Sequence, residues 1–438
     1  MSFDKRKWLT LLLFGIIGQI AWSVENMYFN LFVFETIEPN LKAITLMVQL
    51  SGIAATFVTL IAGALSDKIG NRRSFISIGY IIWGVTVALF GLISPALFEN
   101  LFGIEGEAAV RAALVTVIVG DCVMTLFGSS ANDAAFSAWV TDNTTTENRG
   151  KIESVIAILP LAAMLIVAGG FGILVGAIGY PALFISLGAV ISASGIYGLF
   201  AVKDSERLEK SGTLRDMLSG FKPSSVKENK PFYLTLVIVC VYGIACQIFM
   251  PYLIIYMKTY LNFSVVEYSV VFGLAIILGA LINLYLGKIS DRINKVRSIY
   301  IATSIFAIGL LLMYLSRGMA HTFDLILFGI AGFIMITGYI YISALTGALV
   351  RDYTPPKDTG KLQGVRMIFF VLIPMLIGPT VGNAINAARN IPLPDAGADA
   401  MTTSYIPAPE IFLTAALASL LIFALVPVLS KLTGRSDS

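Results

Sequence analysis

The sequence is poor in charge and has almost no histidine or cysteine. Only 13% of its 438 residues are Asp, Glu, Lys or Arg, whereas a soluble domain carries about 25%. The 30 basic and 27 acidic residues nearly cancel, which argues against a nucleic-acid partner. The single histidine, His321, argues against histidine-based metal catalysis and a Ser-His-Asp triad. The three cysteines lie in apolar runs and predict no disulfide framework.

Long apolar runs fill the chain instead. Hydrophobic residues make up 57% of it, and the mean hydropathy is +0.84. Because a helix crosses a bilayer with about 20 apolar residues, we expect twelve membrane spans, numbered 1 to 12 in chain order. The remainder suffices only for loops, so the sequence predicts an all-α integral membrane protein in a lipid bilayer, not an enzyme. The predicted spans are 8–34, 43–66, 73–97, 112–139, 150–176, 179–201, 231–258, 264–287, 298–316, 322–350, 361–386 and 409–431.

Lysine and arginine are concentrated on one side of these spans. The loops and ends on the side of the N-terminus hold 24 of the 30 basic residues. Basic residues resist translocation, so we expect both termini in the cytoplasm and a multi-pass protein of the cell membrane.

The spans divide into two halves of six. The longest polar segment lies between spans 6 and 7. We therefore expect an N-terminal six-helix bundle over residues 1–201, a cytoplasmic linker over 202–230 and a C-terminal bundle over 231–438.

Two short boxes recur in both halves. The box after span 2, Gly63 to Arg73, returns after span 8 as Gly287 to Arg297. The box after span 4, which begins at Asp142, returns after span 10 at Asp352. Parallel repetition of six helices with the same boxes is typical of a duplicated transporter.

The first box resembles a known family signature. Gly63-x3-Asp67-Lys68-x-Gly70-x-Arg72-Arg73 is similar to the motif between helices 2 and 3 of the major facilitator superfamily. The helix count, the central loop and the second copy of the box extend the resemblance over the whole chain. It implies two pseudo-symmetric six-helix bundles and transport by alternating access around a mid-membrane site.

The resemblance also reaches a branch of that family and a set of gating charges. The loops that begin at Asp142 and Asp352, and the stretch from Trp22 to Asn30, are similar to the cation-coupled glycoside symporters, including sucrose/proton symporter-like carriers. In the family, charges of the first box latch the cytoplasmic gate. The gate candidates are therefore Asp67 and Arg73, together with the edge charges Asp142, Arg149, Asp291 and Asp352.

Span 1 carries a polar stripe. Gly15, Gly18, Trp22, Glu25 and Asn26 recur at steps of three and four, which places them on one helix face. Helix packing by small residues would explain the two glycines but not the glutamate. Because a carboxylate in hydrocarbon is costly and is usually functional, we expect this stripe to face a cavity.

Span 4 carries a second stripe at a similar depth. It contains Asp121, Thr125 and Asn132, and Asp121 lies about as far from the bilayer centre as Glu25 does. We interpret Glu25 and Asp121 as a coupling pair that carries a proton, or that holds sodium with the help of Asn26. The sequence does not choose between the two ions. Asp133 lies off the stripe and is interpreted as a gate or packing residue.

Aromatic and amide side chains suggest a neutral polyhydroxylated solute, because rings pack on sugar faces and amides bind hydroxyl groups. Packing and interfacial anchoring are the alternative roles of such tyrosines. The substrate-binding candidates are Trp22, Asn26, Tyr28 and Asn132 in the first half, and Gln247, Tyr252 and Tyr339 in the second.

The sequence therefore predicts a monomeric secondary active transporter that needs no cofactor beyond its coupling ion, H⁺ or Na⁺. Symport of a sugar or similar small neutral solute is the leading function. The alternative is a drug or metabolite efflux antiporter of the same superfamily. Such antiporters carry Gly-Pro-x-x-Gly in helix 5, whereas here Gly378-Pro379-x-x-Gly382 lies in span 11.

Overall fold

The computed structural model describes residues 4–144, 149–204, 220–316, 320–355, 359–393 and 404–433. Within them the chain is helical apart from connecting turns and one pair of two-residue strands, Ile391–Pro392 against Tyr405–Ile406. Eleven helical segments of this part are long and apolar enough to cross a membrane. The predicted all-α membrane fold is confirmed.

The first half contains five of these segments. They are Lys5–Ile37, Leu41–Ile69, Arg72–Phe90, Glu107–Asn143 and Val155–Ala201. A short exposed helix, Pro95–Phe102, follows span 3 and is capped by the Ser94 side chain.

One segment, Val155–Ala201, accounts for two predicted spans. Its 47 residues would reach about 70 Å as a helix, more than twice the thickness of a bilayer core. Gly179 breaks the helix inside it, with φ 77° and ψ 165°. The two arms of this segment are spans 5 and 6, which reconciles eleven helical segments with twelve predicted spans.

The second half contains the remaining six segments. They are Lys230–Thr259, Val265–Ile293, Lys295–Leu315, His321–Tyr353, Gly364–Arg389 and Glu410–Leu432. Span 7 changes to a 3₁₀ turn at Met250–Tyr252, where Pro251 cannot supply a backbone N–H.

The chain forms two compact units. One comprises Met1–Pro39 and Leu46–Leu214, and the other Asn40–Thr45 and Arg215–Ser438. The predicted boundaries at 202 and 230 stay predictions, because residues 205–219 lie outside the described residues.

Packing within each unit is largely aromatic. In the first unit Phe29 stacks on Phe90 with ring centroids 4.0 Å apart and meets Phe184 edge-on at 5.0 Å. In the second unit Phe412 lies 5.0 Å from Tyr256 and 5.7 Å from Phe249. Large apolar side chains on the opposite helix faces are exposed, as expected of surfaces solvated by lipid.

Wide π-helical turns interrupt several spans. A π turn hydrogen-bonds five residues back instead of four, and such turns often mark functional sites. The described residues contain five of them: Glu25–Phe29 and Val33–Ile37 in span 1, Ser129–Phe136 in span 4, Val167–Phe171 in span 5 and Ile368–Leu372 in span 11.

Candidate functional site

Glu25 lies inside the first unit, where span 1 widens into its first π turn. The residue is 8% exposed. Its Oε1 accepts a hydrogen bond of 3.1 Å from the Thr125 hydroxyl of span 4. Its Oε2 is buried and has no hydrogen-bond partner. A polar atom buried in this way is costly unless a proton or a ligand fills it.

Asp121 lies one helical turn before Thr125 and is more deeply buried, with 1% exposure. The Ser51 hydroxyl of span 2 hydrogen-bonds to its carboxyl group, while Oδ1 has no partner. The carboxyl group lies close enough to act electrostatically on Glu25. The structure therefore brings the two predicted coupling residues together.

Within the described residues, no basic side chain contacts this pair. The described contacts of Glu25 and Asp121 involve hydroxyl groups and other acids, and no lysine or arginine. In the same described part of the chain, no three His, Cys, Asp or Glu side chains are arranged to hold a metal ion. Two adjacent buried carboxylates cannot both remain ionised without a counter-charge. A bound proton, or a cation held with help from other oxygen atoms, would remove the cost of burying both charges.

Asp133 belongs to the same cluster, which the regular helical stripe did not predict. It accepts hydrogen bonds from Ser129 Oγ at 3.0 Å and from Asn132 Nδ2 at 3.2 Å. It also acts electrostatically on Glu25. In the π-helical segment Ser129–Phe136 each residue turns the helix by a smaller angle than in an α-helix. The α-helical geometry that places Asp133 off the stripe therefore does not hold there.

Asn132 joins span 4 to span 3. Its Oδ1 lies 2.9 Å from the hydroxyl of Tyr80, which also lies 2.9 Å from the carbonyl oxygen of Phe14. A Cβ atom at Gly18 would lie 2.5 Å from this Oδ1 and 2.7 Å from the tyrosine hydroxyl. The glycine is thus required for the three spans to meet at this hydrogen bond.

The other substrate candidates of the first half differ in accessibility. Trp22 packs on Trp83 at 5.0 Å and also neighbours Asp133. Asn26 is exposed and donates to the carbonyl oxygen of Trp22 at 2.7 Å. Tyr28 is fully buried and packs on a phenylalanine of span 5, so in this conformation it belongs to the core.

The second-half candidates do not form one cluster. Tyr339 packs on Tyr242, whose hydroxyl donates to the backbone carbonyl of Tyr339 at 3.0 Å. Tyr252 is fully buried and donates to the carbonyl oxygen of Pro379 at 2.9 Å. Gln247 is partly buried, and its backbone packs against Gly378 of span 11. The sequence interpretation also missed Asp324, a 3% exposed acid in the first turn of span 10.

Two of the predicted gate charges, Asp142 and Asp352, each form an ion pair within their own unit. Arg72 at the start of span 3 is 4% exposed and donates to Asp142 at the end of span 4 at 3.1 Å. It also donates to Ser66 Oγ at 2.5 Å. The second half repeats this arrangement with Lys295 and Asp352 at 2.7 Å.

The remaining gate candidates are less informative. Arg73 donates its guanidinium to the carbonyl oxygen of Leu199, at the end of span 6. The side chains of Asp67, Arg149 and Asp291 lie outside the described residues. Sequence reasoning assigned the gate to Arg73 and missed the buried Arg72. Its burial depends on the tertiary contacts with Ser66 and Asp142, which have no local sequence signal.

Comparison with known proteins adds to this geometry. The family model of the Major Facilitator Superfamily matches residues 11–379. No curated protein matches the chain.

Three solved structures share its fold at low identity. The nucleoside transporter NupG is 14% identical with a TM-score of 0.66, over 97% of this chain and 98% of that one. A bacterial homologue of the iron transporter ferroportin is 14% identical with a TM-score of 0.63, over 96% and 98%. A bacterial homologue of the human lysosomal transporter Spinster is 13% identical with a TM-score of 0.67, over 98% of each chain.

Proposed function

The chain belongs to the major facilitator superfamily, which makes it a transporter and not an enzyme, and we propose that it is a cation-coupled symporter for a small neutral solute such as a sugar. Glu25 and Asp121 couple transport to a proton or a sodium ion. The solute binds beside them on the polar face of spans 1 and 4, and the protein alternates between its two access states.

The coupling role rests on one observation: two carboxyl groups are buried together, each with an oxygen atom that has no hydrogen-bond partner. Their described contacts include no basic side chain. Burial of such a pair costs several kcal/mol unless a bound cation or proton compensates for it. Ion binding removes this cost, and it therefore favours the conformation of the transporter that binds the ion more tightly.

The neutrality of the solute is inferred from the remaining side chains. The residues that support it are Trp22 and Asn26, which neighbour Glu25 in span 1, and Asn132 of span 4, which donates to Asp133; they supply one aromatic ring and two amides. No arginine or lysine stands there to bind an anionic substrate, within the described contacts of these residues. Rings and amides are the groups that recognise sugars and other polyhydroxylated molecules.

The efflux alternative is not favoured, because packing accounts for its motif. A Cβ atom at Gly378 would lie 2.4 Å from the Cβ of Gln247. One at Gly382 would lie 2.2 Å from the carbonyl oxygen of Ile248. Both glycines allow span 11 to approach span 7 closely, as small residues do between membrane helices.

Uptake into proteoliposomes tests this function. Labelled sucrose and labelled uridine serve as probes, the second because NupG is a nucleoside transporter. Each is offered under an imposed pH gradient, an imposed sodium gradient or neither. We expect at least one probe to accumulate against its gradient with one of the two ions.

Glu25→Gln keeps the size of the side chain but removes its exchangeable charge. We expect it to abolish gradient-driven accumulation while exchange of solute at equal concentrations survives, because exchange needs no net ion movement. Glu267→Gln, an acid outside the cluster, is the control and should accumulate normally. Full accumulation in both Glu25→Gln and Asp121→Asn would refute the coupling pair.

A further inference from the structure

We infer that Asp133 is a proton relay between the Glu25–Asp121 pair and the cytoplasmic end of span 4, and hence that the coupling ion is a proton. This inference rests on the proposed symport function and deepens it. It concerns a residue whose position in the cluster results from a π-helical segment.

Side-chain oxygen atoms are aligned along span 4. Thr125, Ser129 and Asp133 follow one another at intervals of four residues, and the Ser129 hydroxyl reaches the Asp133 carboxylate inside the π-helical segment. Thr125 donates to Glu25, and Ser129 donates to Asp133. The two hydrogen bonds thus connect the buried acid of span 1 and the acid of span 4 to neighbouring hydroxyl groups of one helix.

The three acids differ in burial. Glu25 and Asp121 are 8% and 1% exposed, whereas Asp133 is half-buried. It also lies twelve residues further along span 4 than Asp121, in the direction of the predicted cytoplasmic end. Asp133 thus lies between the buried pair and the predicted cytoplasmic end of span 4, where a relay residue is needed.

The groups around Asp133 are hydrogen-bond donors. Both carboxylate oxygens accept hydrogen bonds, from a serine hydroxyl and an asparagine amide, and the indole of Trp22 neighbours the carboxyl group. The Asn132 amide directs a hydrogen atom, and not an oxygen atom, at the carboxylate, which suits a group that gains and loses a proton. Sodium needs a shell of oxygen ligands instead.

The transfer itself is balanced. The O–H bond of protonated Glu25 breaks and an O–H bond forms on the Asp133 carboxylate, so one acid becomes charged as the other becomes neutral. For this transfer the Thr125 hydroxyl, which donates to Glu25 in this conformation, has to turn and accept the proton on its oxygen atom, and the Ser129 hydroxyl already donates to Asp133. Solvent that enters the site during transport would have to bridge the two hydroxyls. The titratable groups that face Asp133 within the described residues are Glu25 of span 1 and Tyr80 of span 3.

Trp22 provides a direct readout that needs no solute. We expect its fluorescence in the purified full-length protein to change with pH in one transition, caused by protonation of Asp133. Asp133→Asn should remove the transition and Asp133→Glu should retain it. Trp22→Phe should remove it by removing the reporter, which separates its signal from Trp8, Trp83 and Trp139. Asp324→Asn, a buried acid of the second half, is the matched control and should titrate like the wild type.

Transport provides the second readout, with labelled sucrose and uridine as probes. Asp133→Asn should slow pH-driven accumulation at least tenfold and leave equal-concentration exchange within about twofold of the wild type. Ser129→Ala should give an intermediate loss, and it guards against misfolding of the aspartate variant.

The outcomes separate the two proposals. If Asp133→Asn keeps the wild-type fluorescence transition, the relay is refuted. If Glu25→Gln abolishes accumulation while Asp133→Asn accumulates normally, the relay fails and the symport mechanism stands. If neither variant alters accumulation, both fail.

Discussion

At the scale of single residues, the spans of the first unit meet at a position where only glycine fits. Gly18 leaves room for the hydrogen bond between Asn132 and Tyr80, and a Cβ atom there would lie under 3 Å from both side chains. Such crowding cannot be relieved without moving the hydrogen bond, because the tyrosine hydroxyl is also held by a backbone carbonyl.

We predict that Gly18→Ala destabilises the protein by about 1–3 kcal/mol, which is typical of overpacking in a closely packed interior. Thermal unfolding in detergent, followed by tryptophan fluorescence, measures the loss. Gly169→Ala is the matched control, because nothing lies within 4 Å of a Cβ atom at that position. Equal stability of the two variants would show that the site tolerates a side chain.

The acids of the site were predictable only in part. Glu25 and Asp121 were found because a charge in an apolar run is conspicuous. The position of Asp133 was less predictable, because a rotation of 100° per residue does not hold within Ser129–Phe136. Contacts between spans, such as Tyr80 with Asn132, depend on tertiary packing and have no local signal.

At the scale of helices, the break at Gly179 separates two spans that would otherwise form one 47-residue segment. Its φ of 77° and ψ of 165° are available essentially only to glycine. A side chain at this position would meet no steric clash, because the nearest atom to a Cβ atom added at Gly179 would be the Cδ of Pro181, at 3.8 Å.

Gly179→Ala should therefore cost about 1–3 kcal/mol through backbone strain alone. Gly176→Ala, three residues earlier, is the control: a Cβ atom there meets nothing within 4 Å, and the backbone is helical. That control should be neutral or stabilise the protein by up to about 1 kcal/mol. Thermal unfolding of the two variants side by side measures the difference. An equal effect at both positions would mean that span 5 continues without a break.

Most helix positions followed from the sequence, because about 20 apolar residues in a row have few other solutions. Helix ends were less predictable. Span 3 ends at Phe90 and not near residue 97, because Pro95 begins a separate short helix with Ser94 as its cap. The π turns had no sequence signal that hydropathy could detect.

At the scale of the whole molecule, the orientation in the membrane stays a prediction that labelling can test. On a background without Cys122, Cys240 and Cys246, single cysteines would be placed at Leu101 and at Lys222, two exposed positions. Because most basic residues lie on the side of the N-terminus, a membrane-impermeant maleimide should label Leu101→Cys in intact cells. It should label Lys222→Cys only after the membrane is opened. The reverse pattern would invert the topology.

The ion pairs at the helix ends give the two halves unequal sensitivity to dissolved salt. The side chains of Arg72 and Asp142 are 5% and 23% exposed, whereas those of Lys295 and Asp352 are 37% and 49% exposed. Screening shortens the range of exposed charges from about 8 Å at physiological ionic strength to about 3 Å at 1 M, and affects buried pairs much less. A rise in salt concentration would therefore weaken the Lys295–Asp352 ion pair between spans 9 and 10 much more than the Arg72–Asp142 ion pair between spans 3 and 4. The same repeated contact is thus sensitive to salt in one half and largely protected from it in the other.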